Sequence, residues 1–185
     1  MSNLDLNTAE TQTENIPDNE TVKVRLAFVY GDHAPDDKGN LQLHKSKSSD
    51  ALMLSLEATV LEGKYARRKF WPRYYMGSVT GEMTEGQTTA VGISRKMLRA
   101  IVEAARGFAP ADETPAAIKA RQLSSLVELD GMEVTVVTGI EKGRDGFDDK
   151  TVIKRVVAHG KEGGPKAYDA KAEAKATAAT AKKGW

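Results

Sequence analysis

The chain has 185 residues, 27 Lys and Arg against 26 Asp and Glu, a formal net charge of +1 and no cysteine. Disulfides and thiolate metal sites are therefore excluded, and no run approaches the ~18 apolar residues of a membrane helix. The polar, acidic start lacks the basic and apolar stretches of a signal peptide, so a soluble cytoplasmic protein with one domain and two tails is expected.

Residues 1–20 carry five acids (Asp5, Glu10, Glu14, Asp18, Glu20) and no base. Without apolar periodicity they cannot offset the entropy of ordering, and a disordered acidic segment is expected. The domain spans 21–158. Val22, Val24, Leu26, Phe28 and Tyr30 recur at period two and predict a strand over Val22–Tyr30. Gly31–Asp50 reads as a polar connection with turn chemistry at 36–40. Ala51–Leu61 is the second strand, with Leu52, Leu54, Leu56, Ala58 and Val60 on one face. Glu62-Gly63 turns the chain back as an antiparallel hairpin.

The third strand is expected at 64–76, which holds five of the chain's eleven aromatics, five basic residues and no acid. Cations neutralise phosphates, and flat rings stack on unpaired bases. Strand parity sends alternate side chains to opposite faces. The odd face carries Tyr65, Arg67, Lys69, Trp71, Arg73 and Tyr75, all cationic or aromatic. The even face (Lys64, Ala66, Arg68, Phe70, Pro72, Tyr74, Met76) is mostly apolar and can join a core. Pro72 favours an edge or a bulge, and a bulge would move Arg73 and Tyr75 to the other face. The competing view is that these rings are core aromatics with the cations lying around them.

Gly77–Gly92 reads as a loop. Ser94 is placed to cap a helix over 95–106 with Met97, Leu98, Ile101, Val102 and Ala105 as its buried stripe, stopped by Gly107. Thr114-Pro115 starts a second helix running to about Ser124. Met132–Ile140 and Thr151–Ala158 are the fourth and fifth strands, joined by a hairpin loop in which Lys142, Arg144 and Phe147 are candidate contacts. Residues 159–185, with six lysines and three acids, form a flexible Ala/Lys-rich tail. The resulting expectation is a mainly β, five-stranded OB-like barrel with one or two helices between the third and fourth strands.

The run Leu61-Glu62-Gly63-Lys64-Tyr65-Ala66-Arg67-Arg68-Lys69-Phe70-Trp71 resembles the hairpin of a family of bacteriophage single-stranded DNA-binding proteins. Leu98 with Ile101, and Leu129-Asp130-Gly131-Met132-Glu133-Val134, match its leucine-bearing helix and the approach to its last hairpin. The likeness covers about 22–158. It implies an OB-like fold, binding without catalysis and a role in phage DNA replication or recombination. The Lys-rich end, Lys182-Lys183-Gly184-Trp185, departs from the acidic tail with which many single-strand binders recruit partners.

No enzyme signature is present. His33, His44 and His159 lie outside ligand spacing, no phosphate-cradling Gly-x-x-x-x-Gly-Lys-Ser/Thr occurs, and Asp145, Asp148 and Asp149 do not fit a calcium loop. The expected ligand is single-stranded DNA bound by Tyr65, Arg67, Lys69, Trp71, Arg73, Tyr75, Lys142 and Arg144, with no cofactor, no metal and no membrane. RNA offers the same phosphates and bases and stays open, as do replication or recombination proteins and a homo-oligomer. The alternative is a non-enzymatic structural or protein-interaction module that uses the same strand as a protein interface, since Trp, Tyr and Arg also dominate such contacts.

Overall fold

The computed structural model describes residues 15–35, 41–143 and 147–160. It is mainly β, with eight strand segments among these residues: β1 (Thr21–Val29), β2 (His33–Pro35), β3 (Leu41–Lys45), β4 (Ala51–Val60), β5 (Lys69–Phe70), β6 (Arg73–Ser78), β7 (Glu133–Glu141) and β8 (Lys150–Val156). Two helices, α1 (Glu85–Ala105) and α2 (Pro115–Ala120), and a 3-10 turn at Leu126–Leu129 lie between β6 and β7. No helix among the described residues is long and apolar enough to cross a membrane.

All strand pairs are antiparallel, in the order β2-β3-β4-β1-β7-β8, with β5 and β6 also on β4. Ala58 pairs with Leu26 of β1 and Phe70 of β5, and Met53 pairs with His44 of β3 and Tyr75 of β6. Because a strand has two edges, β1 and β3 share one edge of β4 while β5 and β6 share the other. The expected closed barrel of five strands does not form. The sheet curls until Cα atoms of β5 and β8 come within 8 Å, yet no ladder joins them, and the sheet stays open.

Alternation builds most of the expected core, but Tyr30 lies exposed beyond the end of β1 and Leu52 is only half-buried. Val22, Val24, Leu26 and Phe28 of β1 are buried, with Leu54, Leu56, Ala58 and Val60 of β4 and Val134 and Val136 of β7. The stretch expected as a polar connection instead contains the β2-β3 hairpin. It docks so closely that a Cβ on Gly31 would lie 1.9 Å from the Leu43 carbonyl oxygen, so this position requires glycine.

Helix α1 begins ten residues earlier than expected, at Glu85 rather than at 95. Thr84 is the N-cap: its hydroxyl accepts from Gln87 N–H at 3.3 Å, and the Gln87 side chain accepts from Thr84 N–H at 2.8 Å. This reciprocal pair satisfies two donors that a helix start leaves open. Thr88 and Thr89 donate to the carbonyls of Thr84 and Glu85, which fits them to a helix despite their polarity. Ser94 is buried instead, and its hydroxyl accepts from Tyr75 N–H at 2.8 Å, pinning α1 to β6. Gly107, at φ 73°, ends the helix as expected. The second helix starts at Thr114-Pro115 but closes at Ala120 rather than near Ser124.

Residues 15–20, expected to be without structure, pack against the β7-β8 end. Ile16 is buried, its N–H donates to Thr151 Oγ1 at 3.0 Å, and Thr138 Oγ1 donates to the Pro17 carbonyl at 2.6 Å. The expected tails otherwise lie outside the described residues, apart from His159 and Gly160.

Candidate nucleic-acid interface

The basic-aromatic run does not form one strand. Residues 61–68 make a compact double turn. Gly63 takes φ 83°, Ala66 N–H donates to Gly63 O at 3.1 Å, and Arg68 N–H donates to Tyr65 O at 3.1 Å. Arg67 N–H then donates to Val60 O at 2.8 Å, which closes the turn on the end of β4. Strand parity therefore does not govern Tyr65 and Arg67.

Tyr65, expected on the exposed face, is buried at 6% exposure. Its hydroxyl donates to Glu20 Oε1 at 3.1 Å, and Lys64 and Arg68 lie 5.2 and 5.3 Å from its ring centroid. Its face is occupied by the protein's own cations, and it is withdrawn as a stacking residue. Arg67 is exposed, held in the left-handed region at φ 70°.

From Lys69 the alternation holds. Lys69, Trp71 and Arg73 are exposed, while Phe70, Pro72 and Tyr74 are buried. Pro72 interrupts the strand assignment between β5 and β6 but does not change its phase, because its carbonyl still accepts from Leu56 N–H at 3.1 Å. The irregularity falls later, where Leu52 pairs with Gly77 and Met53 with Tyr75. There the second correction arises. Tyr75 is half-buried beside α1, and its hydroxyl is enclosed with no hydrogen-bond partner among the described residues, so it offers no open ring face. The buried Tyr74 hydroxyl likewise has no such partner, and loss of solvent pushes its pKa well above the ordinary value.

Trp71 is 53% exposed at the seam where β5 faces β8. A cleft of about 870 Å³ lies there. One wall is Arg68, Lys69, Phe70, Trp71 and Arg73, and the other is Glu141, Lys142, Gly143, Phe147, Asp148 and Lys150. Asn15, Ile16 and Thr151 complete the lining. Phe147 is 80% exposed, so each wall carries a large uncovered ring. Gly143 admits the returning chain, since a Cβ there would lie 1.7 Å from the Phe147 carbonyl oxygen.

Five cations line the cleft (Arg68, Lys69, Arg73, Lys142, Lys150) against two carboxylates, Glu141 and Asp148. Lys69 pairs with Glu57 at 2.7 Å, Lys150 with Glu141 at 3.3 Å, and Lys142 with Asp149. Asp149 is held below the usual carboxylate range by the Lys142 ammonium and then by the Gly143 N–H. Such solvent-facing pairs are weak and exchange readily for a phosphate. Arg67 and Arg73 make no ion pair among the described residues.

The structure thus brings together Lys69, Trp71, Arg73 and Lys142 from the expected set and leaves Tyr65 and Tyr75 out. Arg144 lies outside the described residues. Sequence reasoning missed Arg68, assigned by parity to the packing face, as well as Lys150 and the Asn15-Ile16 contribution. The apolar Ile16-Pro17 pair inside an otherwise polar head was the available signal for the last of these. In comparisons with known proteins, no family model matches the chain, and no curated protein matches it.

Proposed function

We propose that this protein binds single-stranded nucleic acid, with single-stranded DNA as its ligand, in the cleft between β5 and β8 and without catalysing a reaction. The observation that carries the reading is the alternation of Lys69, Trp71 and Arg73 on an exposed sheet edge, across from Phe147, Lys142 and Lys150. Cations spaced along the walls hold a phosphate backbone while the rings meet unpaired bases. In a duplex the base faces are already stacked on one another, so the rings have nothing to contact. A curled, open β sheet with its helices between β6 and β7 supports an OB-like layout, in which the groove between strands and the last hairpin is the binding surface. A place in phage replication or recombination follows from the family resemblance of residues 61–71.

Trp71→Ala tests the site. Titration with a homopolymeric DNA oligonucleotide should show binding weakened roughly 5–150-fold, the range expected for losing ~1–3 kcal/mol of stacking, with the fold retained by circular dichroism. With about four phosphates neutralised, the log-log salt slope on single strands should be about −3. Equal affinity for wild type and variant, or affinity independent of salt, would overturn the reading. Absence of binding to single strands and duplex alike would favour the protein-interface alternative, for which the exposed Trp71 and Arg73 are also suited.

A further inference from the structure

Around the sheet, β5 reaches β8 only by way of β4, β1 and β7. Adjacent strands twist by about −10 to −35°, so the ladders along this path leave the spacing at the seam loosely set. Residues 15–20 supply a direct link between the two walls. At one end Asn15 Nδ2 donates to the Asp149 carbonyl at 2.6 Å, and Ile16 N–H donates to Thr151 Oγ1 at 3.0 Å. At the other end Glu20 spans the gap by itself. Its carbonyl accepts from Thr138 N–H of β7 at 2.9 Å, and its carboxylate accepts from the Tyr65 hydroxyl at 3.1 Å. Tyr65 is buried, and Arg68, which lines the cleft, lies 5.3 Å from its ring centroid and donates its N–H to the Tyr65 carbonyl at 3.1 Å. A chain of contacts thus runs from β7 through Glu20 and Tyr65 to a cation of the opposite wall.

We propose that Glu20 is a positioning residue: by holding Tyr65 it fixes the spacing of the two walls and the seat of Arg68, and so sets how tightly the cleft holds a nucleic-acid strand. This rests on the nucleic-acid reading of the same site. Neither Glu20 nor Tyr65 lines the cleft, so neither acts by touching the ligand. A strand that meets rings and cations on both walls does so at one spacing only. When the Tyr65 bond is lost, the protein populates other spacings, and apparent affinity falls with the fraction that stays competent. An acid one side chain removed from Arg68 would repel a polyanion by its charge alone, and the bond to Tyr65 accounts for its place there.

Glu20→Gln and Glu20→Ala lose the same charge, but only glutamine keeps an oxygen that accepts from Tyr65. With both folded by circular dichroism, Glu20→Ala should bind an oligo-dT about two- to tenfold more weakly than Glu20→Gln, the range over which one hydrogen bond shifts a two-state population. Tyr65→Phe keeps the ring beside Arg68 and should lose affinity relative to wild type to the same extent. Equal affinity of the two Glu20 variants overturns the proposal, as does Tyr65→Phe binding as tightly as wild type. A readout without DNA uses the absence of cysteine. Spin labels on Ala66→Cys and Arg155→Cys, both exposed and outside the cleft lining, report the distance between the walls. The distance distribution should broaden in Glu20→Ala and Tyr65→Phe and stay as narrow as wild type in Glu20→Gln, and no broadening overturns the proposal. If no form binds single strands, the functional reading falls, and the distance distribution alone decides whether Glu20 sets the spacing.

Discussion

Arg67 sits at φ 70° on the turn that leads into the cleft, a backbone state that an L-residue adopts at a cost of about 1–2 kcal/mol. A glycine would take this turn without strain. A long, exposed cation stands there instead, and strain retained beside the proposed binding surface points to a role for the side chain. Arg67→Gly separates the two contributions. Thermal or urea unfolding should show stability unchanged or raised by up to about 1 kcal/mol, while affinity for single strands falls a few-fold and the salt slope loses about 0.7. A loss of stability with affinity intact would assign Arg67 to the fold alone. Tyr65 shows the opposite case. It reads in the sequence as part of a binding face, but its ring closes the turn and its hydroxyl is spent on Glu20.

At the level of elements, α1 is fastened to the α2 region by a buried carboxylate. Glu103, 4% exposed, accepts from Arg99 Nε at 2.7 Å and from Arg121 Nε at 2.6 Å. Arg106 adds a second tie, to Glu128 at 2.9 Å and to the Ala120 carbonyl. These contacts hold α2 and the loop before it against the helix. Glu103→Ala leaves the half-buried Arg121 to Glu113 at 3.9 Å and the Ala109 and Pro110 carbonyls, and should cost about 2 kcal/mol by chemical denaturation, with Glu103→Gln recovering part of the loss. None of these residues lines the cleft, so the folded variant should bind single strands as wild type does.

The strands that were legible in sequence are runs rich in apolar and β-branched residues, cleanly alternating in β1 and buried almost throughout in β7. Where a tertiary contact decides the outcome, the local pattern misleads. β2 and β3 are too short for period two to rise above the polar residues of 31–50. Gly86, Gly92 and paired threonines disguise the first turns of α1, which Thr84 and Gln87 nevertheless cap. Lys69, Trp71 and Arg73 keep the exposure that parity predicts because the alternation runs on across Pro72, whereas Tyr65 was misplaced because a turn carries no parity. Arg68 and Lys150 join the cleft only through the curl of the sheet, which no local window contains.

For the molecule as a whole, two carboxylates tie distant parts of the chain. Glu133 on β7 bonds Arg25 and Lys23 of β1, and these contacts hold its pKa below the ordinary value, Arg25 foremost and against the effect of burial. Burial raises Glu128, but its bonds from Arg106 and the N–H groups of Ser124 and Ser125 outweigh this and leave its pKa lowered as well. A lowered folded pKa stabilises above the unfolded value and is lost as pH falls through the folded one. Thermal unfolding midpoints should therefore hold near neutrality and fall as pH drops below about 4.3, the ordinary glutamate value, with Glu133→Gln flattening part of that slope. Both groups are partly exposed, so each contributes no more than about 1 kcal/mol.

The seam left open between β5 and β8 carries a hazard as well as a site. An unclosed sheet presents rows of backbone donors and acceptors, and another chain can add to them strand by strand. Lys69 and Arg73, on either side of Pro72, place like charges where a second copy would have to align. Like charges at such an edge disfavour fibrillar self-pairing, so the cations that would hold a polyanion on the proposed reading would also oppose pairing with a second copy.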